Sequence, residues 1–368
     1  MKKRKAIFMV CLLSVAFGIT ALIAGLAEKK EKTDGMLCVT SFYPVYLLAE
    51  SVAEGAIGVQ VENLTENHSG CIHDYTLTTQ DMRLLSEAEL FLINGGEMEL
   101  FLERAAKEYK NLRIVDTSEG YSFLEGVEHN HAHEDESEVH GAEGRDELHE
   151  HEDGEHTGEG VVADHAEEDH DGHNHTLNAH LWMDIDGYLL QLSKVEEAFV
   201  TADSAQEAVY RRNAERCREE LLVLKAEYET AREQLAGGET VVFHEGFVYL
   251  FRMLGIETVH CLAMDSDTQI ASGEAAQILE ECKLHGITTL FAEEEYVETV
   301  QETFAKAIDG SVVVLNPVTG GTGLTPGTAA ADGDTVPDAA DTEKKGIALY
   351  CESMRKNLNR IKQAYGVQ

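Results

Sequence analysis

Two series of short apolar segments alternating with helical stretches occupy this chain, and one long helical run separates them. In the first series, residues 36–42, 59–64, 90–94 and 112–116 read as strands. Helices are expected over 45–53, 79–86 and 100–108 between them. In the second, residues 239–243, 258–264, 289–292 and 312–315 read as strands, with helices over 247–254, 273–284 and 297–308. Residues 343–365 close the chain as an amphipathic helix. Strand and helix alternating at this spacing predict parallel βαβ units and an α/β fold, because a parallel strand needs a crossover to reach its neighbour. The dividing run, 204–235, has Asp203 or Ser204 as its N-cap and Gly237-Gly238 as its stop. Its apolar positions, among them Tyr210, Leu221, Leu224 and Tyr228, carry helical spacing. At about 1.5 Å per residue it is longer than a single lobe needs and suits a spine joining two lobes.

One segment breaks the pattern. Between His129 and His175 the chain holds eleven histidines and seventeen acidic residues in 47 positions, with Arg145 as the only base. Such a stretch cannot bury a core and is expected to be a disordered surface loop. Imidazoles beside carboxylates point to divalent metal, since neutral imidazole suits zinc-like ions and the acids concentrate cations around it. The whole chain has a net charge of -39. That excludes nucleic acid as a natural partner, because phosphates would be repelled. At the N-terminus, Lys2, Lys3, Arg4 and Lys5 precede an apolar run over 6–27. This reads as an export signal, or as an uncleaved membrane anchor, so the protein is expected to work outside the cytoplasm. Seven cysteines show no Cys-x-x-Cys pair, which excludes a zinc ribbon or a thioredoxin-like motif; disulfides and free thiols both stay open.

Three histidines stand at element ends, outside the acidic segment. His73 lies in His73-Asp74-Tyr75, His180 in Asn178-Ala179-His180-Leu181-Trp182-Met183-Asp184, and His244 in Phe243-His244-Glu245-Gly246-Phe247. His73 and His244 follow strands, where α/β sheets bind ligands. With Val39-Thr40-Ser41-Phe42-Tyr43-Pro44, Leu254-Gly255-Ile256 and Leu315-Asn316-Pro317, these motifs resemble, in order, the zinc-binding ZnuA/AdcA-type substrate-binding proteins of metal ABC importers. The resemblance runs from about residue 36 to 365. The His/acid segment also lies where zinc members of that family carry theirs.

The resemblance implies two pseudo-symmetric lobes with parallel sheets flanked by helices, joined by a long rigid helix. It places the first lobe at 36–185, the connecting helices at 186–237 and the second lobe at 239–368, with 319–341 as a flexible insertion. It implies Zn2+ as transported substrate, held between the lobes by His73, His180 and His244. An ABC permease with a separate ATPase subunit is the implied partner, for no phosphate-binding Gly-x-x-x-x-Gly-Lys-Ser/Thr motif occurs here. Manganese-type relatives tend to carry a carboxylate where His244 stands, so imidazole there favours zinc. The carboxylate that often completes the family's site is absent from Asn316-Pro317-Val318-Thr319-Gly320. Water is the expected fourth ligand, with Glu293, Glu294 or Glu295 as substitutes. Asp74 and Asp184 are candidates to orient the imidazoles or to act as caps, and Trp182 is expected in the core. Affinity is expected to fall on acidification through roughly pH 6–7. Other classes left open are a surface metal buffer or adhesin-like protein, and a secreted zinc hydrolase. The last lacks a His-Glu-x-x-His helix, and no enzymatic role is expected.

Deleting residues 129–175 is expected to lower the total zinc bound while leaving one tight site. Isothermal titration of the deleted and intact proteins with Zn2+ and Mn2+ checks this.

Overall fold

The computed structural model describes residues 35–66, 70–73, 75–101, 108–126, 176–264, 270–320 and 345–367. The apolar N-terminal run, the His/acid segment, Asp74, most of the expected helix 100–108 and residues 321–341 of the expected insertion lie outside them. Among the described residues, no helix is long and apolar enough to cross a membrane.

The first half contains β1 (Met36–Thr40), α1 (Tyr43–Ala53), β2 (Val59–Asn63), α2 (Thr79–Glu87), β3 (Leu90–Ile93) and β4 (Arg113–Asp116). A two-residue antiparallel pair follows, β5 (Leu124–Glu125) with β6 (Leu177–Asn178). It joins the chain on either side of residues 127–175, and it escapes sequence reading because two residues carry no periodicity. Next come α3 (Ile185–Ala202) and α4 (Glu207–Leu235). The second half contains β7 (Glu239–Val242), α5 (Gly246–Met253), β8 (Glu257–Cys261), α6 (Ser272–His285), β9 (Thr289–Ala292), α7 (Val297–Thr303), β10 (Ser311–Val314) and α8 (Ile347–Ala364).

Both four-stranded sheets are wholly parallel. One runs β2-β1-β3-β4 and the other β8-β7-β9-β10, the same order when strands are counted within each half. The expected pseudo-symmetry is therefore present in the topology. In each sheet the chain steps from its first strand to one side and then crosses to the other, so the order reverses between β1 and β3, and between β7 and β9. In open α/β sheets the crevice at such a reversal receives ligands.

Two expected helices are subdivided. The spine begins as a 3-10 turn at Ser204–Gln206 before α4. Asp203 stabilises this start by accepting from Gln206 Nε2 and Tyr210 Oη. The helix expected over 297–308 ends at Thr303 and resumes as a 3-10 turn at Ala305–Ile308. Between them Phe304 turns into the core against Phe243.

The halves share a central core, and each keeps a smaller separate cluster of its own. Buried side chains run without interruption from Cys38 and Leu92 of the first sheet to Val242 and Phe291 of the second. Helix α4 buries a stripe through Tyr210, Ala214, Cys217, Leu221, Leu224, Tyr228 and Leu235, the 3–4 spacing of one helical face. Asn213 donates to the Val52 and Glu54 carbonyls at the end of α1. Near its other end, Arg232 donates to the Arg252 and Met253 carbonyls that close α5. Helix α8 makes a second crossing: Ile347 N–H donates to Ser51 Oγ in the first half, and Tyr365 Oη to the Glu239 carbonyl in the second.

At the centre lies the 3-10 turn Leu181–Met183. Trp182 is fully buried, edge-on to Phe42, and its Nε1 donates to the Pro317 carbonyl at 2.7 Å. Tyr350 Oη donates in turn to the Trp182 carbonyl. Trp182→Ala is expected to destabilise by about 3–5 kcal/mol, through lost packing and an orphaned carbonyl. A lower urea midpoint at unchanged slope checks this.

Candidate metal centre

His244 follows β7 after one intervening residue, Phe243, and Glu293 directly follows β9, so these two side chains flank the reversal of the second sheet. His180 belongs to the segment after β6, which is tied to the reversal of the first sheet. There Asn94, just beyond β3, donates through Nδ2 to the Ala179 carbonyl at 2.9 Å. Gln191 of α3 holds Asn94 in place by donating to its Oδ1. Cys71 and His73 come from the connection between β2 and α2.

The imidazoles converge. The His180 and His244 ring centroids lie 4.8 Å apart, and those of His73 and His180 5.4 Å apart. Cys71 Sγ lies 3.1 Å from His180 Nε2 and 3.3 Å from His244 Nε2. Glu293 Oε1 lies 3.0 Å from His244 Nε2. Trp182 packs against the His180 ring, and Phe247 against the His244 ring.

Hydrogen bonds fix the rings. Asn178 Oδ1 faces His180 Nδ1 at 2.9 Å, while Asn178 Nδ2 donates to the Glu245 carbonyl. An amide oxygen can only accept, so His180 carries its proton on Nδ1 and turns an Nε2 lone pair toward the cluster. This is the usual way an outer partner prepares a metal-binding histidine. His244 is set differently. The Gly246 N–H donates to its Nδ1 at 3.0 Å, which leaves the neutral ring's proton on Nε2, directed at Glu293. Coordination through Nε2 needs the other neutral tautomer: that proton leaves, Nδ1 takes one up, and the hydrogen bond from the Gly246 N–H is given up. Gly246 is required by close approach, since a Cβ there would lie 2.8 Å from His244 Cε1.

Burial dominates the electrostatics of the pair. It pushes His244 down to about 3, helped by the neighbouring His73. It pushes Glu293 up to about 8, helped by the neighbouring Glu295. Although the two side chains are within ion-pair distance, both charges are penalised by desolvation, and a neutral imidazole against a protonated carboxyl group describes them better.

Among the candidates read from sequence, His180 and His244 belong to the compact donor group. His73 lies beside His180, but the third member of that group is Cys71; all its donor atoms fall within 4.8 Å of one another. In the sequence Cys71 is one of several scattered cysteines and attracts no assignment. Its one available signal is the Cys71-Ile72-His73 spacing, two donor-bearing residues with a single position between them. Of the acidic triplet, Glu293 is buried against His244, whereas Glu294 and Glu295 are exposed. Glu293, one of the acidic residues named beside water as a fourth ligand, thus stands next to His244. Asp184 is a cap: it accepts the Asp186 N–H at the start of α3 and the Tyr121 hydroxyl. The orienting role falls to Asn178. Acidification through pH 6–7 does not protonate His244, because burial holds that ring neutral to far lower pH.

Parallel-sheet halves with buried imidazoles at their strand ends define the class: an α/β protein with a candidate site for a divalent cation. The family profile described as "Zinc-uptake complex component A periplasmic" matches residues 38–364, and the chain belongs to that family. It is 25% identical to the "Zinc-binding protein AdcA" of Streptococcus pyogenes serotype M3 over 366 residues, covering 98% of this chain and 61% of that protein. The chain thus spans about three-fifths of the AdcA length. It is 22% identical to the "High-affinity zinc uptake system protein ZnuA" of Bacillus subtilis, covering 99% and 98% of the two chains. In fold it resembles a ZnuA crystal structure, with a TM-score of 0.62, 18% identity, and 90% and 99% of the two chains covered. Zn(II)-bound AdcA from Streptococcus pneumoniae aligns with a TM-score of 0.60, 18% identity, and 90% and 57% coverage.

Two outcomes follow from these contacts. Asn178→Ala is expected to weaken zinc binding by about 10–100-fold by releasing the His180 ring, as isothermal titration would measure. The metal-free protein is also expected to depend on pH through His244 and Glu293. Between the ordinary values of 4.5 and 6.5, folded and unfolded chains each hold one proton on this pair, so its contribution is level. As pH rises from 6.5 to about 8, only the folded state keeps a proton, on Glu293, and stability falls. As pH drops from 4.5 to about 3, the unfolded state holds the extra proton and stability falls again. Urea midpoints across pH check both limbs, and Glu293→Gln is expected to flatten the alkaline one.

Proposed function

We propose that this protein is an extracytoplasmic solute-binding protein that captures Zn2+ as cargo between its two lobes. It then delivers the ion to an ABC permease powered by a separate ATPase subunit. The observation that carries this reading is the convergence of His180 and His244 on one buried point, each ring held by a dedicated hydrogen bond. Membership of the zinc-uptake family and the zinc functions named for the AdcA and ZnuA relatives support it.

In this reading His73, His180 and His244 bind the ion. A borderline-soft imidazole set suits Zn2+ better than the oxygen-preferring Mn2+. Glu293 gives up its hydrogen bond from His244 Nε2 as the ion arrives, and its carboxylate then offsets part of the added positive charge. Two hydrophobic walls, Trp182 and Phe247, keep the rings dry and strengthen the ion's attraction to its donors. The protein binds and releases its cargo without chemical change, so no residue is given a catalytic role. The N-terminal segment serves export and, if retained, membrane attachment, while the His/acid segment gathers ions for the site.

Saturating zinc is expected to raise stability by about 2.7 kcal/mol when its free concentration is 100 times Kd. The joint substitution of His73, His180 and His244 by Ala, in protein lacking residues 129–175, is expected to abolish that gain and all stoichiometric binding. Stoichiometric zinc binding by that variant overturns the reading.

A further inference from the structure

The three histidines do not exhaust the donors of the cluster. Cys71 Sγ is placed against both converging nitrogens, 3.1 Å from His180 Nε2 and 3.3 Å from His244 Nε2. In a tetrahedral zinc site, Zn–S near 2.3 Å and Zn–N near 2.0–2.1 Å put the sulfur-to-nitrogen edges at about 3.6 Å. The observed separations are a few tenths of an ångström shorter on both edges. Two edges of one triangular face of such a tetrahedron are therefore already in place, slightly contracted. An ion bonded to these two nitrogens lies within bonding reach of the sulfur unless Cys71 swings away.

The setting favours coordination over simple packing. His180 Nε2 is an acceptor because Asn178 fixes the proton on Nδ1, so the thiol hydrogen has a ready partner before metal arrives. Cys71 is only half-buried, whereas Cys38, Cys217, Cys282 and Cys351 lie in the core. Among the described residues, no other cysteine joins a compact group of donors.

We propose that Cys71 binds the ion as a thiolate, making with His73, His180 and His244 a closed site of one sulfur and three nitrogens. On binding, the S–H bond breaks, its proton passes to solvent, and the sulfur lone pair forms the bond to the metal. The inference rests on the zinc-capture reading and deepens it by assigning selectivity to this atom. Thiolate bonds strongly to Zn2+ and Co2+ and poorly to Mn2+, Mg2+ and Ca2+, so the sulfur adds preference that imidazole alone does not provide. It also supplies the fourth ligand, leaving Glu293 as a hydrogen-bonding and charge-balancing neighbour.

The test is titration of the full-length protein with Co2+, followed in the near-ultraviolet where sulfur-to-cobalt charge transfer absorbs. The expected result is a charge-transfer band that saturates at one equivalent, disappears when Zn2+ is added, and is absent from Cys71→Ser. The same variant is expected to lose about 100-fold or more in Zn2+ affinity, at least the upper range for removing an outer-shell partner. Its Mn2+ affinity should change little, narrowing the preference for zinc. A second measurement needs no variant: one equivalent of Zn2+ should block alkylation of Cys71 by iodoacetamide, located by peptide mass. Tight one-to-one binding with no charge-transfer band, or a band that survives in Cys71→Ser, overturns the role of Cys71 while zinc capture stands. Equal labelling of Cys71 with and without zinc overturns it as well. Absence of any tight site in the wild-type protein sinks both readings together.

Discussion

Parallel strands all end at the same edge of their sheet, and the loops that follow must start there. That geometric fact organises the whole centre. Glu293 occupies the first position beyond β9 and His244 the second beyond β7, the neighbouring strands between which the second sheet reverses its order. On the first sheet, Asn94 occupies the equivalent place beyond β3 and holds the His180 segment through the Ala179 carbonyl. Sheets supply rigid positions and short loops supply the chemistry, a division of labour common to α/β proteins. The shared core and the two helices that touch both halves keep the edges facing one another.

Dryness is the second organising condition. His244, His180 and Glu293 are nearly inaccessible to water, and each would be costly to bury charged. The centre avoids that cost at His244 and Glu293 by keeping the imidazole neutral and the carboxyl group protonated. A divalent ion reverses the balance, because it rewards lone pairs and negative charge. On the proposed zinc capture, the site is stable without metal for one electrostatic reason and receptive to metal for the opposite one, and proton release accompanies the exchange.

Much of the architecture is legible in the chain. Strand positions, the long helix and the parallel class follow from periodicity and spacing, which depend only on neighbours in sequence. The motif Phe243-His244-Glu245-Gly246-Phe247 is visible as a string, and the fold gives its residues distinct roles. Phe243 fills the core, His244 joins the donor cluster, and the Glu245 carbonyl accepts from Asn178. The Gly246 N–H fixes the His244 ring, and Phe247 walls it. What stays hidden depends on contacts between distant segments. Cys71 meets His180 across 109 positions and His244 across 173, and beyond the Cys71-Ile72-His73 spacing nothing local to Cys71 announces either. Glu293 differs from Glu294 and Glu295 only because one residue at the strand end faces inward while the next two turn out. Asn178 stands out as part of a motif, but its work as the His180 partner needs the bend that brings position 180 back over 178.

The small pair β5–β6 carries a further consequence. It fastens Glu125 to Leu177, so whatever length of chain lies between them begins and ends at one point beside the centre. The entropy of closing such an excursion grows only logarithmically, by about 0.6 kcal/mol for each doubling of its length. Insertions and deletions there are almost neutral to folding once the two ends are clasped. Evolution can therefore lengthen, shorten or rewrite the histidine-rich segment as metal supply changes, without renegotiating the geometry of the residues that Asn178 and its neighbours hold in place.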